Sequence, residues 1–141
     1  MSKFIIKSIC VCLIFMSVVK SDFKGIPDER IFSLDKPIAA IKAHQNEKFI
    51  IKVAGNPSTG YGWFLGKKTE DNGLKCTNCD EYNSSNDYKV DKHPAGMVGV
   101  PGNYYFIFSG EQKGHIDLEF VNKRPWEKES FKERRLTVNI E

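Results

Sequence analysis

The sequence predicts an all-β fold, an antiparallel β-sandwich of immunoglobulin-like type with seven or eight strands. Three observations carry that prediction. Apolar and polar residues alternate with period two in several segments. Turn pairs such as Asn72-Gly73, Pro101-Gly102 and Ser109-Gly110 punctuate them. No segment shows a sustained apolar stripe at helical spacing with capping residues. There is no internal repeat and no low-complexity tract, and 141 residues suit one domain. A partly open barrel is the structural alternative.

Residues 1–21 are expected to lie outside the fold. Lys3 and Lys7 precede an apolar run from Ile9 to Val19, and Val19 and Ser21 are small residues suited to cleavage after Ser21. That order is the signature of a secretory signal peptide, and the run is short for a membrane span, which needs about 20 apolar residues. An uncleaved anchor is the competing reading. The formal charge of +3 comes from 21 basic and 18 acidic residues. Removing Lys3, Lys7 and Lys20 leaves 18 of each in a mature domain spanning residues 22–141. A formally neutral chain with interspersed signs offers no basic face for nucleic acid.

The strands follow in order. Ile31–Leu34 and Ile38–Lys42 are weak candidates. In Lys48–Val53, Phe49, Ile51 and Val53 share one face. Tyr61–Leu65 comes next, and its Trp63 reads as a core residue. Asp87–Val90 is another weak candidate. Asn103–Ser109 is aromatic and β-branched on both faces, as in a central strand. His115–Val121 alternates Ile116, Leu118 and Phe120 with polar residues, and Arg135–Glu141 alternates Leu136, Val138 and Ile140.

Cys76 and Cys79 form a CxxC in turn-like, polar surroundings. In an oxidising compartment a local disulfide is the natural reading, with inert thiols the alternative. A redox CxxC usually opens a helix, which these flanks do not favour. With only His44, His93 and His115 elsewhere, a zinc site is not expected, nor is any cofactor. Asn83-Ser84-Ser85 is an N-glycosylation sequon in the most polar stretch.

Three connections do not resemble ordinary turns. Asn56, Pro57, Ser58, Thr59, Gly60 and Tyr61 place two hydroxyls at a Pro- and Gly-restrained tip. The bland reading is a rigid turn whose hydroxyls satisfy local backbone. Gly96–Gly102 is Gly-rich yet apolar, with Met97, Val98 and Val100. Exposing that strip is unfavourable without a partner, unless it folds under onto the core. Arg124, Pro125 and Trp126 precede the charged run EKESFKERR, and Trp126 is either a lid on the core or an exposed anchor. In an immunoglobulin-like meander these loops can share one end, forming a recognition surface.

NPSTGYGW, MVGVPGNYYF and RPW, in this order and spacing, make the chain resemble the chagasin-type protein inhibitors of papain-like cysteine peptidases. The resemblance spans roughly Ile38 to Ile140. It implies an immunoglobulin-like sandwich, no catalysis, and reversible tight inhibition of papain-like (cathepsin L- or B-like) peptidases without cleavage. By resemblance, Asn56–Tyr61 enters the active-site cleft centrally, with Ser58 and Thr59 over the catalytic Cys–His pair. Gly99, Val100, Pro101 and Gly102 line one side. Arg124, Pro125 and Trp126 line the other, with Trp126 on an aromatic wall. Pro101 stands where the family usually has Gly, Ser58-Thr59 has one methyl fewer than the commoner pair, and EKESFKERR replaces a Gly-rich continuation. The expected protein is a monomer of the secretory pathway, either secreted or lysosomal, phagosomal or vacuolar. The competing functions are a non-inhibitory immunoglobulin-like adhesion module and, more remotely, a thiol oxidoreductase.

Overall fold

The computed structural model describes residues 23–66, 72–92, 94–97 and 99–141. The proposed signal segment, Val98 and His93 lie outside them. Among the described residues, nine strands form two sheets. They are β1 (Ile31–Ser33), β2 (Ile41–Ala43), β3 (Lys48–Gly55), β4 (Gly62–Leu65), β5 (Leu74–Cys76), β6 (Asp87–Val90), β7 (Gly102–Gly110), β8 (Gly114–Lys123) and β9 (Lys132–Ile140). The first sheet runs β1-β3-β7-β5, and β6 pairs β7 beside β5. The second runs β2-β9-β8-β4.

The expected antiparallel sandwich needs two corrections. β1 pairs β3 in parallel, and β2 pairs β9 in parallel, so both sheets are mixed. The chain crosses from the edge of one sheet to the edge of the other between β1 and β2. Each short strand therefore joins a neighbour that runs its own way. Second, the described residues form nine strands, because Leu74–Cys76 also pairs with β7, at Leu74↔Gly110.

The period-two pattern puts alternate residues of each long strand inward. β7 buries Tyr104, Phe106 and Phe108, and β8 buries Ile116, Leu118 and Phe120. Between the sheets, Phe120 meets Phe106 edge-on with centroids 5.2 Å apart. Phe49 stacks on Phe108 at 5.6 Å. Such contacts add roughly 0.5–1.5 kcal/mol each beyond area burial. Trp63 is buried in this core, and its indole N–H donates to the Ala54 carbonyl at 2.9 Å. The expected central strand is indeed central, since β7 pairs β3 on one side and β5 and β6 on the other.

Strand direction positions the loops. β3 runs antiparallel to β7, and β8 antiparallel to both β4 and β9. The β3–β4 connection, the segment entering β7 and the β8–β9 connection therefore emerge at one end.

Candidate functional site

At that end the first loop is a single 3-10 turn over Pro57–Thr59. Asn56 caps it, its Oδ1 accepting the Ser58 N–H at 3.2 Å. Pro57, in the first turn, needs no hydrogen-bond partner for a missing donor. The turn closes on Gly60 at φ +83°, a left-handed conformation that L side chains adopt only with strain. Both hydroxyls face their own loop. Ser58 Oγ donates to Asn56 Oδ1 at 2.6 Å, and Thr59 Oγ1 donates to the Asn56 carbonyl at 2.7 Å. The rigid-turn reading thus describes the local bonding, while Pro57, Ser58 and Thr59 remain exposed.

The second loop is tied to the first. Asn56 Nδ2 donates to the Gly99 carbonyl at 2.9 Å. Met97 is 56% exposed and does not fold under the core, while Val100 is half-buried. Pro101 is exposed, and its carbonyl accepts the Asp91 N–H at 3.0 Å. Gly102 is buried. A Cβ there would lie 2.2 Å from the Lys89 carbonyl and 2.7 Å from Tyr88 Oη, so only glycine fits. Gly102 supplies room for Tyr88 rather than contact surface. Tyr88 packs on Tyr104 with centroids 4.9 Å apart and donates to the Gly55 carbonyl at 3.1 Å. Burial, then the Asp91 charge, pushes the Tyr88 phenol above its ordinary value of 10.0. Burial, then Tyr88, does the same to Tyr104.

The third loop closes on the first from the other side. The Arg124 guanidinium lies 4.6 Å over the Tyr61 ring, and Tyr61 meets Phe131 at 5.5 Å. Arg124 also approaches Glu127 at 3.4 Å. Trp126 is 72% exposed, which settles its two readings in favour of an exposed side chain. The structure therefore brings Asn56–Tyr61, Gly99–Gly102 and Arg124–Trp126 together in one linked surface. It carries hydroxyls, a small apolar strip and one free Trp.

Two further features belong to the β5–β6 segment. Cys76 and Cys79 are disulfide-bonded, with Cα atoms 5.6 Å apart. Asn83 is exposed at φ +61°, while Ser84 and Ser85 of its sequon are buried. Ser84 Oγ donates to the Trp63 carbonyl at 2.7 Å, and Ser85 Oγ donates to the Tyr105 carbonyl. Sequence reasoning missed this anchoring because Ser, Asn and Asp in series look like any solvated turn. Among the described residues, no group of His, Cys, Asp and Glu is arranged to hold a metal ion.

A rigid sandwich that presents three interlocked loops at one end has the form of a protein-binding module whose recognition surface is carried on its loops. The chain belongs to the chagasin family of peptidase inhibitors (I42), whose model matches residues 42–140. It is 30% identical to amoebiasin-2 of Entamoeba histolytica over 95 residues, which is 67% of this chain and 70% of that protein. It is 29% identical to amoebiasin-1 of the same organism over 82 residues, 58% of this chain and 68% of that protein. Among solved structures, it is similar to the cysteine protease inhibitor EhICP2 from Entamoeba histolytica. The TM-score there is 0.63 at 26% identity, covering 79% of this chain and 94% of EhICP2.

Proposed function

We propose that the protein is a reversible, tight-binding inhibitor of papain-like cysteine peptidases that inserts its three loops into the active-site cleft. The observation that carries this reading is the interlocked loop surface, with Asn56 bonded to Gly99 and Arg124 stacked on Tyr61. Family membership and a cysteine protease inhibitor among its structural relatives support it. In this reading Asn56–Tyr61 is the central loop, with Ser58 and Thr59 over the catalytic pair, Gly99–Gly102 lies along one wall through its exposed residues, and Arg124–Trp126 lies along the other.

The physics is consistent with inhibition rather than cleavage. The central loop is a 3-10 turn closed by a left-handed glycine, so it offers no extended peptide to attack. Its hydrogen bonds exist before binding, so little conformational entropy is lost on association. Residues 1–21 act as an export signal in this reading, and the mature inhibitor works as a monomer in a secreted, lysosomal, phagosomal or vacuolar setting.

The test is titration of active papain and a cathepsin L-like enzyme with purified residues 22–141. Stoichiometric, reversible loss of activity with the inhibitor recovered intact is expected. No inhibition at micromolar protein, or cleavage within Asn56–Tyr61, overturns the reading.

A further inference from the structure

The disulfide-tethered segment between β5 and β6 reaches the first and third loops, and neither its CxxC nor its sequon marks Tyr82 at its tip. Its exposed tip is Tyr82, 68% accessible. Everything around that side chain is held in place. The Asn78 amide donates to Asp87 Oδ2 and to the Tyr105 carbonyl, each at 2.7 Å, and Asn78 Oδ1 accepts the Ile107 N–H at 2.8 Å. Asp80 Oδ1 accepts the N–H groups of Tyr82 and Ser84, both at 2.9 Å. The Asn83 carbonyl accepts the Leu65 N–H at 2.9 Å, which docks the segment along the free edge of β4. The Cys76–Cys79 bond closes its base.

Tyr82 lines a groove of about 430 Å³. Pro57, Gly60 and Tyr61 of the first loop line the same groove, together with Pro125 of the third. The groove is therefore continuous with the proposed inhibitory surface. Size argues in the same direction. A standard protease–inhibitor interface uses about 20–30 residues a side. The three loops bring six, four and three, and Gly102 among them is buried. An adjoining patch has to complete the interface.

The geometry points to Tyr82 as a fourth contact with the peptidase, packing on the rim of the cleft beyond the wall met by Trp126. The occupant of the groove is an apolar side chain of that rim, held between the Tyr82 ring and the first loop. A tyrosine on a pinned backbone is a low-entropy anchor, the kind of residue that dominates binding energy. The disulfide then acts as a positioning element, because it holds the segment that carries the ring.

This inference rests on the inhibitory reading, and the experiment separates the two. Inhibition constants are measured against papain and a cathepsin L-like enzyme for wild type, Tyr82→Ala, Tyr82→Phe, Cys76→Ala/Cys79→Ala and the combination of Tyr82→Ala with the cysteine pair. The enzymes are activated first and assayed without added thiol. Tyr82→Ala should weaken inhibition roughly tenfold or more for at least one enzyme, with the thermal midpoint unchanged. Tyr82→Phe should keep most of the affinity. The cysteine variant should lose affinity too, and the combined variant should lose little beyond it, because both remove the same contact. If the cysteine variant fails to fold, the two tyrosine variants decide. Wild-type inhibition that Tyr82→Ala leaves unchanged against both enzymes overturns the fourth contact alone. Failure of the wild type to inhibit overturns both readings.

Discussion

The side-chain amide of Asn56 spans two loops: Nδ2 donates to the Gly99 carbonyl at 2.9 Å while Oδ1 accepts the Ser58 N–H at 3.2 Å. One residue thus shapes the first loop and joins it to the second. Without the Gly99 bond, two loops 43 positions apart would have to be ordered separately on binding. Ordering costs of that kind subtract directly from affinity.

The two functions of Asn56 can be separated by substitution. Asn56→Asp keeps an acceptor for Ser58 but has no donor for Gly99. It should weaken inhibition roughly tenfold with almost no change in thermal midpoint. Asn56→Ala also loses the cap, at about 1 kcal/mol, and should lower the midpoint by a few degrees. Inhibition by Asn56→Asp equal to wild type would show that the inter-loop bond is dispensable.

Gly60 tests whether the left-handed closure of the turn matters. A Cβ there would lie 3.5 Å from Trp126 Cη2 and 3.7 Å from Arg124 Nε, both ordinary contacts. Sterics therefore do not forbid alanine, and the cost is the φ of +83° itself, about 1–2 kcal/mol. Gly60→Ala should reduce inhibition about tenfold, whereas Gly60→Asn should retain most of it, because Asn tolerates this region. Equal losses for Ala and Asn in the same titration would assign the effect to bulk against the enzyme instead.

Some of this was legible in the sequence and some was not, for physical reasons. Side-chain alternation reports which face a residue occupies, so Phe49, Leu118, Phe120 and Val138 could be placed in the core, whereas β7, apolar on both faces, gave no such assignment. It carries no information on strand direction, so the parallel pairings of Ile31↔Ile50 and Ile41↔Val138 were not foreseen. A three-residue strand such as Leu74–Cys76 is too short to show a period. The three loops were recognisable from Pro, Gly and exposed apolar residues. The bonds that unite them, Asn56 to Gly99 and Arg124 over Tyr61, depend on tertiary geometry that no local pattern encodes. Asn78 and Tyr82 lay hidden in a polar stretch for the same reason.

The two tryptophans should respond in opposite ways. Trp63 is buried and hydrogen-bonded to Ala54, so Trp63→Ala should destabilise the domain by about 3–5 kcal/mol. Folding and inhibition would fall together. Trp126 is largely exposed, so Trp126→Ala should move the thermal midpoint by less than about 2 °C. It should still weaken inhibition by about 2 kcal/mol or more, as an aromatic anchor does. Denaturant melts and inhibition constants on the same preparations decide. Inhibition by Trp126→Ala equal to wild type would show that the exposed ring is not an anchor.

Alkaline pH should loosen the base of the first two loops. Burial, followed by the Asp91 charge, raises the Tyr88 pKa, and burial, followed by Tyr88, raises that of Tyr104. In the unfolded chain both titrate near 10.0. Above that value the folded state holds protons the unfolded state has released, so stability declines as pH rises. Below it both states are protonated and the contribution is fully present. Ionisation of Tyr88 also removes its donated bond to the Gly55 carbonyl, at the end of β3 where the first loop begins. Unfolding free energy followed by denaturant titration should therefore be insensitive to these groups from pH 6 to about 9 and fall beyond about 10. Tyr88→Phe should cost about 1 kcal/mol at neutral pH through the lost bond, yet show a shallower alkaline decline. An alkaline limb of equal steepness in wild type and Tyr88→Phe would assign the loss to other groups.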